Sequence, residues 1–511
     1  MEFGGREELV LLAMLAAVTA LTALAPVLGV PYPILLVLGG LALGFIPGVP
    51  ELTLPPELVL VGVLPPLLYS AAFFTSLREL RANFRPIGLL AVGLVVATML
   101  AVAVVAHYLT DLSWAASFVL GAVVAPTDPI AATAIARRVG VPRRIVTIVE
   151  GESLINDATA LVLYGAAVTA VVTGAFSLWD ASLHFVVSVV GGVAIGLGVG
   201  WVVALVRIRL DNIPAEILIS LLSGWLAYIP AQAAGVSGVL AAVTVGIYLG
   251  WRSPELSTPA MRLQAIAVWE TLVFVVNALL FTLIGMQLGP IIDSLSGLST
   301  LELLFDALVI FAAVVITRLA WVFAAREQYP VVVGWMGMRG AVSLAAALAI
   351  PLETDAGAAF PGRELIIFLA FTVILGTLVV QGLTLPKLLR HVRFEEDGLE
   401  QKEDTKARIY AAEAALARLE ELVDEDWVRP ETAERLRGLY GFRRSRFLAR
   451  FDGEDDGSIE RQSQDYQRLR RELLEAERAA VVALRRDGRI SDDVMRRVER
   501  DLDLEDTRLE I

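Results

Sequence analysis

The chain has 511 residues, no cysteine, a net charge of −13, and a composition that is 56% hydrophobic and only 19% charged. That excludes a disulfide framework and any thiolate metal site, offers no basic footprint for nucleic acid, and is too apolar for an ordinary soluble globule. The charges concentrate after about residue 391, so the chain divides into a polytopic membrane domain over 1–391 and a soluble helical tail over 392–511.

The first 25 residues, MEFGGREELVLLAMLAAVTALTALA, make a poor signal peptide. Their start is acidic as well as basic, and the apolar run is long enough to span. Apolar stretches of membrane-crossing length then recur about thirteen times. They lie near 8–25, 33–47, 57–75, 86–107, 113–135, 145–173, 181–206, 214–230, 236–250, 264–288, 302–325, 331–350 and 364–388. The loops at 76–85, 136–144, 207–210, 251–262, 325–327 and 387–393 hold the basic residues. Those at 47–57, 108–113, 173–182, 229–236 and 290–300 hold no Lys or Arg, and 351–363 holds only Arg363. By the positive-inside rule this alternation puts the N-terminus outside and the tail in the cytoplasm of a multi-pass cell (inner) membrane protein.

The fifth span, WAASFVLGAVVAPTDPIAATAIA, carries Thr127, Asp128 and Pro129 near its middle. An Asp at that depth costs roughly 2.5–3.5 kcal/mol on insertion scales and marks an ion or proton path by default. Pro129 removes a backbone donor and frees carbonyls. A broken helix at membrane depth must line a cavity or pack in protein, and freed carbonyls beside a carboxylate suit a cation.

The sixth span opens with GESLIND, residues 151–157. Ser153, Asn156 and Asp157 stand at i, i+3 and i+4 on one helix face. A carboxylate, a hydroxyl and an amide oxygen are hard ligands, suited to Na⁺ or Li⁺. A plainer reading leaves Ser153 and Asn156 to hydrogen-bond between helices. Glu152 lies off that line. Arg339, flanked by Gly334, Gly337 and Gly340, reads as the basic residue well inside a late span. Glu152 is its expected partner in a structural ion pair, with Asp128 as competitor. The pair would tie two spans together and leave Asp157 free to titrate.

At these residues the chain resembles a known family. PTDPIAA (126–132), EGESLINDATALVLY (150–164) and GMRGAVSLA (337–345) are similar to signature segments of the monovalent cation:proton antiporters of the NhaP/NHE type. LPPLLYSAAFFTSLRELRANFRPI (64–87) and FTLIGMQL (281–288) also resemble that family, closest to its bacterial Na⁺/H⁺ exchangers. The resemblance implies an all-α fold of about thirteen spans built from inverted repeats, with two broken crossing helices, spans 5 and 12. It implies a core within 86–173 and 302–388, and dimerisation spans within 8–75 and 181–288 of a homodimer. It implies Asp157 as the shared cation and proton carrier, with Ser153 and Thr127 ligating the Na⁺. Asp128 and Asn156 would organise the crossing helices, and Glu152 and Arg339 would form the structural pair. Many relatives carry an acid in span 3 where this chain has Ser70. The Asn156–Asp157 pair goes with electroneutral exchange. The function so implied is secondary active exchange of Na⁺ or Li⁺ for H⁺ by alternating access, with no cofactor and no enzymatic step. K⁺/H⁺ exchange is the main alternative. A cation channel and an intramembrane aspartyl protease are weaker ones.

In the tail, 466–488 has Leu469, Leu473, Ala476, Ala480 and Leu484 at helical steps, with Gly488 to stop it. Ser491 reads as an N-cap for a helix whose Val494, Val498 and Leu502 share a face. FDGEDDG (451–457) reads as a solvated linker, since its spacing does not fit a calcium loop. The tail is expected to be regulatory, docking on the membrane domain or binding a regulator.

Overall fold

In lipid every backbone donor and acceptor must be satisfied within the chain, and the helix does this locally. The computed structural model is accordingly almost wholly helical, with one isolated antiparallel bridge among the described residues, Glu353 to Ala359. It describes residues 5–46, 55–293, 295, 299–392, 394, 399–452 and 458–507. Most of the loop at 47–57 and residues 453–457 of the acidic linker lie outside them. Contacts divide the chain into two units, 1–394 and 395–511.

The first unit opens with α1 (Gly5–Leu28), α2 (Tyr32–Gly44), α3 (Leu58–Phe74), the short α4 (Leu77–Ala82) and α5 (Phe84–Leu109). There follow α6 (Trp114–Val124), α7 (Ile130–Val139), α8 (Arg143–Thr173), α9 (Leu178–Arg207) and α10 (Ile213–Ala233). Next come α11 (Gly238–Leu256), α12 (Pro259–Met286), α13 (Leu288–Asp293), α14 (Thr300–Ala324), α15 (Pro330–Trp335), α16 (Ala341–Leu348) and α17 (Arg363–His391). Among the described residues seven of these are long and apolar enough to cross a membrane: α5, α8, α9, α10, α12, α14 and α17. Leu218, Leu263, Leu308 and Ile316 are each more than half exposed, as lipid-facing side chains are.

Local signals set the ends. Ser113, Ser177, Asn212, Ser237 and Thr258 each accept a backbone N–H of the first turn of α6, α9, α10, α11 and α12, which meets donors the helix leaves open. Small residues set the spacing. Gly40 of α2 and Gly285 of α12 face each other, and an added Cβ on either would run into the other helix's backbone. Gly192 and Gly196 do the same for α9 against α11, and an added Cβ at Gly200 would meet the Tyr248 side chain. The two spans expected to be broken are each split: 113–135 into α6 and α7, and 331–350 into α15 and α16. The loop expected at 76–85 instead contains α4, capped by Ser76 on the Glu79 N–H.

The second unit is two helical hairpins: α18 (Leu399–Leu422) with α19 (Pro430–Asp452), and α20 (Ser458–Arg486) with α21 (Asp492–Thr507). Gly488 turns the second with φ +68°, and Ser491 Oγ accepts the Val494 N–H at 3.3 Å. Glu420 accepts two bonds from Arg437, at 2.8 and 3.1 Å, and these hold its carboxyl below the usual range. The expected stripe at Leu469 and Leu473 faces outward, 61% and 48% exposed, while Leu474 is fully buried.

Candidate functional site

Two helix interruptions meet in the first unit. Pro126 and Pro129 bracket Thr127 and Asp128 between α6 and α7, where helical bonding fails because proline has no N–H to donate. Residues 336–340 run between α15 and α16. One backbone bond stitches the breaks together: the Asp128 N–H donates to the Met338 carbonyl at 2.8 Å.

The half-helix ends are matched by charge. Asp128 Oδ1 accepts the Ile130 N–H at 2.9 Å and so caps α7. Its other oxygen packs against Gly340, the residue before α16, where an added Cβ would strike the carboxylate. Asp128 therefore sits at the N-terminal ends of two half-helices, where open N–H groups favour an anion. The C-terminal ends hold guanidiniums. Arg339 Nη1 donates to the Ala125 carbonyl just beyond α6 at 2.5 Å. Arg318, from α14, donates through Nε and Nη2 to the Val333 carbonyl at 3.3 and 3.1 Å, and through Nε to Gly334 at 3.2 Å. Gly337 leaves the space that the Arg318 side chain fills. A π turn in α17 (Thr377–Gln381) brings the Thr377 hydroxyl to accept the Arg339 N–H at 3.0 Å.

Behind the breaks runs a buried chain of polar side chains. The Asn156 amide donates to the Thr127 hydroxyl at 2.8 Å, and that hydroxyl donates to Glu152 Oε1 at 3.0 Å. Glu152 takes a bidentate pair from Arg318, Nη1 to Oε1 at 2.5 Å and Nη2 to Oε2 at 2.8 Å, with both side chains 1% exposed. This corrects the expected pairing. Glu152 is joined to Arg318, whereas Arg339 is fully buried and spends its charge on the end of α6. The sequence hid Arg318 because it stands less than two turns from the end of α14, where a long basic side chain ordinarily snorkels to the interface. The glycines around Arg339 were the available signal: two of them make room for Arg318 and Asp128.

Asp157 and Ser153 lie one turn apart on α8, 6% and 7% exposed. With Thr127 and Asp128 they line a cavity of 510 Å³. The same cavity reaches Glu150 and Arg137, an ion pair at 2.6 Å with Arg137 largely exposed, so it extends from the helix breaks to the surface. Glu152 and Asn156 are not among its lining residues. Ser70 is, with its hydroxyl donating to the Leu67 carbonyl at 2.9 Å. Two further residues that the sequence reading passed over also line it: Asn277 of α12 and Ser343 of α16. Both are almost fully buried, and Asn277 Oδ1 and Ser343 Oγ have no hydrogen-bond partner. A lone Asn in an apolar span was the signal for the first. The cavity thus gathers oxygen donors suited to a hard cation. Among the described residues no group of three or more His, Asp or Glu side chains forms a metal cage.

Known proteins share both the sequence and the shape. The family model described as "Sodium/hydrogen exchanger, transmembrane" matches residues 12–391. The chain is 39% identical to the Na(+)/H(+) exchanger Rv2287 of Mycobacterium tuberculosis, over 98% of this chain and 96% of that one. It is 34% identical to the low-affinity Na(+)/H(+) antiporter NhaS1 of Synechocystis, over 83% and 82%. The solved sodium proton antiporter MjNhaP1 of Methanocaldococcus jannaschii superposes with a TM-score of 0.61 at 20% identity, covering 77% of this chain and all of that one. The chain belongs to the sodium/hydrogen exchanger family, and is a membrane-embedded secondary antiporter that exchanges Na⁺ for H⁺ by alternating access.

Proposed function

We propose that Asp157 is the single group that carries Na⁺ one way and H⁺ the other. The observation behind this is the commitment of its neighbours. Asp128 caps a half-helix and Glu152 is held by Arg318 and Thr127. Asp157 makes no hydrogen bond or ion pair among the described residues, yet it lines the cavity. A carboxylate so placed binds either a proton or a cation. Ser153 and Thr127 add hydroxyl oxygens to the cation, and Asn277 and Ser343 have oxygens to spare on the same walls. Asp128 and Asn156 hold the breaks in place rather than travel with the ion.

The charges also count. Three carboxylates (Asp128, Glu152 and Asp157) face two guanidiniums (Arg318 and Arg339). One proton or one monovalent cation makes the set neutral, which favours one-for-one, electroneutral exchange. Selectivity reaches beyond Na⁺ in a second reading, because a 32% identical relative from Bacillus pumilus is named a sodium, potassium, lithium and rubidium/H(+) antiporter. We read the unit as about thirteen spans in inverted repeats, with core spans 4–6 and 11–13, dimerisation spans 1–3 and 7–10, N-terminus out, tail cytoplasmic, in a homodimer with the tail regulatory. The basic-loop alternation supports the orientation, and the paired breaks support the repeats.

The test is a pH-gradient assay in proteoliposomes with Na⁺, Li⁺ and K⁺ compared. Raising the proton concentration is expected to raise the apparent KM for Na⁺ with little change in maximal rate, giving a bell-shaped pH profile. Asp157→Asn is expected to fold and to exchange nothing, since an amide neither releases a proton nor neutralises a cation. Substantial transport by that variant overturns the assignment.

A further inference from the structure

The cavity at Asp157 has two walls that are attached differently. One carries Thr127, Asp128, Ser153, Asp157 and Ser343, on α8, on α16 or between the half-helices. The other belongs to α3 and α12, and α12 is fastened away from the breaks. Its Gly285 packs on Gly40 of α2, and its Phe274 ring lies 5.5 Å from that of Tyr32. Its Trp269 donates to Ser220 of α10 at 3.1 Å and packs 5.4 Å from the Tyr69 ring of α3. Among the described residues no hydrogen bond or ion pair joins α12 to α8 or to either break.

On this second wall most polar groups are already committed. Ser70 donates to the Leu67 carbonyl at 2.9 Å and Thr75 to the Ala71 carbonyl at 2.6 Å, and Glu270 is exposed, two turns before Asn277. Asn277 is the exception. It is 2% exposed, and its amide is bonded to nothing among the described residues. With neither end held, a half-turn of the amide presents its oxygen to the cavity. A buried amide without partners costs free energy, and a cation beside Asp157 supplies the partner that the oxygen lacks.

We propose that Asn277 completes the cation shell from the opposite wall, and only when the site faces the cytoplasm. The inference rests on the readings of Asp157 as carrier and of α12 as a dimerisation span. The cavity opens beside Arg137 and Glu150, at the basic loop 136–144 that the charge alternation puts in the cytoplasm. When the core carries Asp157 across to face outward, Thr127, Ser153 and Ser343 travel with it and α12 stays behind. Asn277 is then a ligand for Na⁺ bound from the cytoplasm and not for Na⁺ bound from outside. The overall equilibrium is untouched, because what Asn277 adds to cytoplasmic affinity it takes back by holding the loaded core inward.

The experiment follows Na⁺-dependent dissipation of a pH gradient in everted and in right-side-out membrane vesicles, which present the cytoplasmic and the external face to added Na⁺. Asn277→Ala is expected to raise the apparent KM for Na⁺ about three- to tenfold in everted vesicles and to leave it unchanged in right-side-out ones. Ser343→Ala, on the moving wall, is expected to raise both. Without Na⁺ the thermal midpoint of purified Asn277→Ala is expected to hold, since no partner is stranded, while the added stability that Na⁺ confers is reduced. Asn277→Thr keeps an oxygen and is expected to fall between the native protein and Asn277→Ala. A KM raised equally on both sides, or on neither, overturns the proposal. So does a midpoint lowered without Na⁺, which makes Asn277 a packing residue. Transport by Asp157→Asn breaks the carrier reading beneath, whereas a two-sided Asn277→Ala effect beside an inert Asp157→Asn breaks this inference alone.

Discussion

Arg318 and Arg339 are both arginines in an apolar interior, but they are held differently. Arg318 spends its fork on a carboxylate and on two carbonyls, whereas the Nε and Nη2 of Arg339 have no hydrogen-bond partner. Removing one side of a buried, bidentate pair strands the other charge, at about 3–5 kcal/mol. Glu152→Gln and Arg318→Met should therefore each lower stability by that order, and the double variant by little more than either. Chemical unfolding in detergent checks this through a double-mutant cycle. The same cycle on Glu152 and Arg339 should come out close to additive, and strong coupling there would restore the pairing that the sequence suggests. The site residues were legible because an acid in an apolar span needs a reason. Thr127, Asp128, Ser153 and Asp157 all reach one cavity, and Asn156 and Glu152 join the polar chain behind it. The partner of Glu152 was not legible, because one sequence gives no distance between spans and a basic residue near a helix end is unremarkable.

Helices were easier to read than their faces. The apolar runs and Pro129 gave most of the elements and the first break. The second break has no proline and rests on Gly337 and Gly340, whose lack of side chains admits Arg318 and Asp128. In the tail, periodicity gave a helix over α20 but the wrong buried side, since Leu474 rather than Leu473 packs inward. A shift of one residue turns a helix by about 100°, so sparse apolar positions specify its orientation poorly. Between α2 and α12 the contact depends on glycine. Gly285→Leu should force the two backbones apart, costing about 1–3 kcal/mol of overpacking. Gly165→Leu on α8, where nothing lies within 4 Å of the added Cβ, should cost nothing. Thermal unfolding midpoints of the two variants make the comparison, and equal losses would mean that the glycine contact does not set the spacing.

Across the whole molecule the ion site and the tail occupy separate units. Removing residues 395–511 should leave Na⁺ and H⁺ competing as in the full chain, with the bell-shaped pH profile kept and at most displaced. A folded, truncated protein whose exchange no longer depends on pH would put the pH response in the tail. The tail has its own acid sensitivity through Glu420. Its carboxyl titrates below the ordinary value because Arg437 donates to it. That contribution to tail stability is complete above the unfolded-state pKa and disappears as pH falls through the lowered one.

With neither ion aboard, the three carboxylates outnumber the two guanidiniums, and the core would have to swing across the membrane bearing a bare negative charge. The medium resists that, at several kcal/mol for an uncompensated ion. The empty return stroke is then the rare one. A carrier that seldom returns empty seldom lets Na⁺ run down its gradient without a proton coming back, so the two gradients stay geared together with little slippage. Voltage acts on charge, at about 2.3 kcal/mol per elementary charge per 100 mV, and on the proposed one-for-one exchange it finds none to grip on either loaded stroke. A cell could therefore let its membrane potential fluctuate widely without reversing this exchanger, whose direction would answer to concentrations alone.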